Sequence, residues 1–231
     1  MKNWTLRISA MLILPALLFT SSLSTNKYSG ATAEYFAQPG QVYASTNEPP
    51  TQYEMRQVAI KANSAVKFLD TFWRQTFAAH NLSYTSPRIS ASGPAPIYYS
   101  PTDTIYIAPN FLALQMRDAA ARFGTDGDFA FIVILAHEWG HAIQKRLGLT
   151  AGPTIYRELQ ADCLAGAFAK AARTAGALDP GDIDEAVFAF LMARDSTGTN
   201  PNHPNAHGTG EQRIRAFHLG LDGGVKSCGC F

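Results

Sequence analysis

Asp128-Phe129-Ala130-Phe131-Ile132-Val133-Ile134-Leu135-Ala136-His137-Glu138-Trp139-Gly140-His141 is the stretch on which the fold turns. Phe129 to Ala136 is apolar on every side, so a helix here is enclosed by other elements rather than laid on a surface. Thr125-Asp126-Gly127-Asp128 reads as a capping box, with the Thr125 hydroxyl accepting from the third helical amide, and Gly148 supplies a left-handed stop. Two histidines and a glutamate inside such a helix are costly to desolvate unless something pairs with them. Residues four apart share a helix face, so His137 and His141 reach one ion while Glu138 sits on the adjoining flank. A catalytic zinc takes three protein ligands and keeps a fourth position open, so an element packed on this helix must bring the third.

Glu158 is the expected third ligand, because it opens the next helix, Tyr156 to about Ala175, after a connection short enough to fold straight back. Asp162 lies one turn later on the same face, where its carboxylate accepts the free ring N–H of a ligand histidine. Ala161, Ala165, Gly166, Ala167 and Ala169 give this helix small faces for close approach. A further helix follows Asp179-Pro180, the polar stretch Ser196 to Gly208 is loop, and Thr209 to Gln212 is a capping pattern for a last short helix. Upstream, Ile97 to Tyr99 and Thr104 to Ile107 flank the turn-forming Ser100-Pro101-Thr102-Asp103 and predict a β-hairpin. Pro109 interrupts, after which Phe111 to Phe123 is helical and stops at Gly124. Tyr53 to His80 carries Val58, Ala62, Ala65, Phe68, Leu69, Phe72 and Trp73 at helical spacing, a scaffold helix. The fold class is α+β, predominantly helical, with a small hairpin or sheet beside the active-site helix.

The 231 residues fit one compact catalytic domain over 52–231, preceded by a Ser, Thr, Gly, Pro and Asn-rich flexible leader at 25–51. Lys plus Arg number 19 against 18 Asp plus Glu, so no global field draws the chain to nucleic acid. Lys2 and Arg7 precede an apolar run from Ile8 to Phe19, which reads as a signal peptide over 1–24 and implies a secreted or periplasmic protein. Small residues at Ser22 and Ser24 suit cleavage after Ser24, and an uncleaved membrane anchor is the alternative. The three cysteines are Cys163, Cys228 and Cys230. A bond between the last two would close a strained ring, so either Cys163 pairs with one of them or it is a small buried helix residue.

From Tyr98 to Phe217 the chain resembles the bacterial neutral zinc metallopeptidases, a gluzincin-type group. The matching pieces are Tyr99-Ser100-Pro101-Thr102-Asp103 with Ile105-Tyr106-Ile107, Arg122-Phe123-Gly124 with Gly127-Asp128-Phe129-Ala130, His137 to His141, Glu158 to Gly166, and His207-Gly208-Thr209 with Gln212-Arg213. The resemblance implies a zincin-like fold and the same third ligand, Glu158. It also implies a cysteine where this chain has Ser100, so the C-terminal cysteines are expected to replace the partner that Cys163 has lost. The spacing of His207 and Arg213 is similar to a His and Arg pairing near the zinc of membrane-bound prenyl-protein endopeptidases. That pairing implies His207 as a donor to the developing oxyanion, with Arg213 orienting it or binding substrate carbonyls. The reading that follows is a peptidase acting on peptide or protein substrate with one Zn2+ per chain, a zinc-activated water and Glu138 as general base. The hairpin is placed to take an extended substrate as an added strand. The alternatives are a zinc-stabilised scaffold protein and a cell-wall amide hydrolase.

Overall fold

The computed structural model describes residues 48–196, 198–200, 203 and 206–231; the expected signal segment and most of the leader lie outside them. Six α-helices and a three-stranded sheet follow in order: α1 (Gln52–Ala79), β1 (Arg88–Ser90), β2 (Ile97–Tyr99), β3 (Thr104–Tyr106), α2 (Pro109–Phe123), α3 (Asp128–Arg146), α4 (Thr154–Thr174), α5 (Asp182–Met192) and α6 (Gly210–Gly223). The architecture is therefore α+β and predominantly helical, as the sequence predicts. None of these helices is long and apolar enough to cross a membrane.

α1 starts on a true capping box, Thr51 accepting from the Glu54 amide while the Glu54 carboxylate accepts from the Thr51 amide. Its stripe of Val58, Ala62, Ala65, Phe68, Leu69, Trp73 and Phe77 is buried against the helices that follow. The hairpin of β2 and β3 forms with Tyr98 opposite Ile105, and a strand that the sequence did not announce, β1, joins β3 in parallel. The strand order β1-β3-β2 leaves β2 at the edge. Asp103, in the left-handed region at φ 51, binds the Arg146 guanidinium at 2.9 Å and accepts from the Tyr98 hydroxyl at 2.6 Å, which clamps the hairpin onto the end of α3.

Two expected boundaries differ. Pro109 does not interrupt α2 but begins it, since the first helical position needs no N–H. The capping box expected at Thr125 does not form: Gly127 is the N-cap, and the Thr125 hydroxyl accepts only from the Gly127 amide, at 3.3 Å. The first-turn amide of Phe129, which has no partner within the helix, is satisfied instead by the buried Glu185 carboxylate of α5, at 2.8 Å. At the far end the Leu149 amide bonds back to the Gln144 carbonyl around Gly148, the expected stop.

α3 is buried almost throughout, and Phe129 to Val133 are all fully enclosed. The small residues of α4 let its backbone touch both neighbours. A Cβ on Gly140 of α3 would lie 3.0 Å from the Ala161 Cα, and one on Gly220 of α6 would lie 1.8 Å from the Cys163 carbonyl oxygen. These approaches set α4 between the histidine-bearing helix and α6. Cys163 is bonded to Cys228 in the turn after α6, and Cys230 remains a half-buried thiol whose pKa burial pushes up to about 11.

Candidate metal centre and active site

His137 and His141 project from one face of α3 toward Glu158 on the first turns of α4. The two Nε2 atoms are 3.2 Å apart, His137 Nε2 is 3.2 Å from one Glu158 oxygen, and His141 Nε2 is 3.3 Å from the other. Metal–ligand distances of about 2.0–2.1 Å in tetrahedral geometry give a donor–donor edge of about 3.3 Å, so the spacing suits zinc.

The protons are committed away from this meeting point. His137 Nδ1 lies 2.7 Å from Asp162 Oδ1 and His141 Nδ1 lies 3.0 Å from Gln144 Oε1. An imidazole that donates through Nδ1 turns a lone pair outward at Nε2, so two lone pairs and a carboxylate face one point. Glu158 Oε2 is buried and has no hydrogen-bond partner there. Such a set is repulsive without a cation. Without a metal, a proton on Nε2 is the cation that meets this field: burial works against the charged form of His137, but the Asp162 charge and hydrogen bond, with Glu158, outweigh it and raise the pKa to about 10. Glu158 is held far below the carboxylate range; burial opposes this, and the two imidazoles overcome it. The residues present fit a zinc ion.

Glu138 stands outside that trio. Its Oε2 accepts the backbone N–H of Tyr98, on the edge strand β2, at 2.7 Å. Glu138, Tyr98, Ile97 and His207 line the same open cleft of about 410 Å³ as the three converging donors. Trp139, the third residue of the motif, turns away from the trio into the core and donates to the Tyr84 hydroxyl at 3.0 Å.

Arg213 is placed differently from the expectation. It does not line the cleft but is buried at 3% exposure, its Nε and Nη2 on the two Asp162 oxygens at 2.9 and 2.8 Å, and its Nη1 on the Ala193 carbonyl. Arg213 therefore stands behind the cleft lining, on the carboxylate that fixes His137. Burial would raise the Asp162 pKa, and the Arg213 charge and hydrogen bonds reverse that and lower it. His207 does reach the cleft, half-exposed, on a loop held by Asp195, whose carboxylate accepts the His207 and Gly208 amides at 2.9 and 2.8 Å.

Three contributors escaped the sequence reading. Gln144 was visible in principle, because it lies three residues after His141 on the same face. Asp195 and the Tyr98 amide carry no sequence signal, since one acts through loop closure and the other is backbone.

A family model described as "putative neutral zinc metallopeptidase" matches residues 9–231. The chain is 30% identical over 224 residues to the uncharacterized protein YpfJ of Escherichia coli K12, covering 78% of this chain and 76% of YpfJ. It is 31% identical over 166 residues to the uncharacterized protein Rv2575 of Mycobacterium tuberculosis H37Rv, covering 60% of this chain and 54% of that one. No solved structure matches. A match over nearly the whole length, on a site of this composition, means that the chain belongs to the putative neutral zinc metallopeptidase family.

Proposed function

We propose that the protein is a peptidase that hydrolyses peptide bonds with Glu138 as general base, on one zinc held by His137, His141 and Glu158, and that residues 52–231 are its zincin-like domain. The observation that carries this reading is the position of Glu138, at the cleft, outside the metal-holding trio and aimed by the Tyr98 amide. A purely structural metal site closes with four ligands and has no use for such a group. When bound, zinc supplies Lewis acidity, polarising a carbonyl and lowering the pKa of water from about 15.7 to near 7.

Glu138 accepts the proton of the attacking water and returns it to the leaving amine. The Tyr98 N–H restrains its carboxylate between those two positions. His207 donates to the oxyanion as it develops on the substrate carbonyl. Asp162, braced by Arg213, keeps the His137 proton on Nδ1, so Arg213 is a positioning residue. The edge strand β2, with Ile97 and Tyr99 exposed, offers an extended peptide a strand to pair with.

Glu138→Gln should keep about one zinc per chain and lose about 10²–10⁴ in hydrolysis. His207→Ala should also keep zinc and lose about 10²–10³. Peptide-library cleavage and metal analysis on the same preparations check both. A Glu138→Gln protein with near wild-type turnover would sink the mechanism, and a zinc-loaded wild type inert toward every peptide leaves the scaffold and cell-wall amide readings standing.

We also propose export. The Cys163–Cys228 bond suits an oxidising compartment. N-terminal sequencing of the mature protein should begin near Thr25; recovery of Met1 from a membrane fraction favours the anchor instead.

A further inference from the structure

His137 and His141 are braced by two different routes, and the second leads to the C-terminal tail. Gln144, 3% exposed, presents Oε1 to His141 Nδ1 at 3.0 Å. Its Nε2 donates to the Arg157 carbonyl at 2.7 Å and to Gln160 Oε1 at 3.0 Å. Gln160 Nε2 donates in turn to the carbonyl of Cys228 at 3.1 Å. A carbonyl only accepts, so the direction of every bond in this chain is fixed from its ends. The Cys228 carbonyl requires Gln160 to turn its amide nitrogen outward and its oxygen toward Gln144. The Arg157 carbonyl and that oxygen together require Gln144 to turn its own oxygen toward His141. His141 must then carry its proton on Nδ1, which leaves Nε2 facing Glu158 and His137.

The tail that supplies the last carbonyl is pinned at two points. Cys228 is bonded to Cys163, the immediate neighbour of Asp162, and Phe231 packs against Phe77 and Trp73 of α1 with ring centroids 5.5 and 6.3 Å away.

We propose that the C-terminal tail is part of the metal centre: the Cys163–Cys228 bond holds the Cys228 carbonyl where, through Gln160 and Gln144, it orients His141 to receive zinc. Gln144 and Gln160 are positioning residues for that ligand. The inference rests on the zinc reading of the His137, His141 and Glu158 trio, and adds that zinc retention depends on a segment that does not line the cleft. Because the Arg157 carbonyl also anchors Gln144, loss of the tail bond weakens the brace without abolishing it.

The test is competition of the full chain with a chromogenic chelator for zinc alone, beside the unfolding midpoint of the zinc-free protein. Outer-shell partners of metal ligands are worth about 10–100-fold in affinity. Gln144→Met should fall within that range, and Gln160→Met should weaken zinc by about 10-fold while leaving the zinc-free midpoint close to wild type. The Cys163→Ala/Cys228→Ala pair should also weaken zinc, by several-fold and by no more than Gln160→Met, Phe231 still docking the tail. A tail with only a structural role would move the zinc-free midpoint and leave affinity alone. Gln160→Met with wild-type affinity overturns the relay, whatever Gln144→Met does. A folded double-cysteine variant with wild-type affinity, beside a weakened Gln160→Met, overturns the part played by the disulfide. If the double variant does not fold, Gln160→Met decides alone. A wild type that takes up no zinc refutes the underlying site instead, and so is told apart from failure of the relay.

Discussion

Asp162 has no exposed surface and holds two donors of different kinds, the His137 ring and the Arg213 guanidinium. Asp162→Asn preserves its size but turns an amide N–H toward one of them and leaves Arg213 as a buried charge without its counter-ion. Removing one partner of a buried pair costs about 3–5 kcal/mol, and loss of a histidine's outer partner about 10–100-fold in zinc affinity. Denaturant unfolding and chelator competition should show both. Adding Arg213→Met should recover much of the stability, because the orphaned charge goes, without recovering the affinity. If stability and affinity return together, Asp162 acts on the fold and not on His137. The sequence exposed half of this arrangement. Helical spacing put Asp162 one turn after Glu158, facing the histidines, but nothing local showed that Arg213, 51 residues away, closes on the same carboxylate. Its six-residue distance from His207 drew attention to the loop, whereas burial on α6 decides where its guanidinium points.

The helices meet at backbone distance because α4 is built of small residues, and this was legible as composition but not as a partner list. Ala161 and Gly166 are small enough for close approach; that one meets α3 and the other α6 follows only from the packing. Gly220→Ala tests the second contact, since its Cβ would stand 1.8 Å from the Cys163 carbonyl oxygen and 2.7 Å from the Ala167 amide. Backbone cannot yield as a side-chain tip does, so α6 must shift, and the cost should reach or exceed the usual 1–3 kcal/mol of overpacking, on the order seen for crowded cores. Since α6 carries Arg213, zinc affinity should fall as well. Leu219→Ala, at an exposed neighbouring position, should stay within about 0.5 kcal/mol of wild type. Equal effects from the two variants would mean that the contact between α4 and α6 is not tight. The features the sequence missed are short or remote: β1 has three residues and gains its place only by pairing with β3, and the cap of α3 comes from Glu185, 56 residues from the amide it serves.

At the scale of the molecule, the question is whether zinc builds the fold or is received by it. One apolar core runs from α1 through α6 and encloses Trp73, Phe129, Phe131, Phe168 and Phe217 without recourse to His137, His141 or Glu158. The chain should therefore unfold cooperatively even when stripped of metal, unlike a zinc finger, which needs its ion to fold. Zinc should still stabilise it by mass action, because the trio spans α3 and α4 and is assembled only in the native state. At free zinc about 100 times the dissociation constant this is worth about 2.7 kcal/mol. For a chain of this size each kcal/mol moves the midpoint by roughly 2–4 °C, so calorimetry with and without a strong chelator should show a difference of several degrees. Glu138→Gln should keep the whole shift, since Glu138 stands outside the trio, and His141→Ala should lose most of it. A wild-type midpoint indifferent to the chelator would mean that these three donors hold no ion. A chelated protein that melts without a cooperative transition would mean that the metal, not the apolar core, organises α3 against α4.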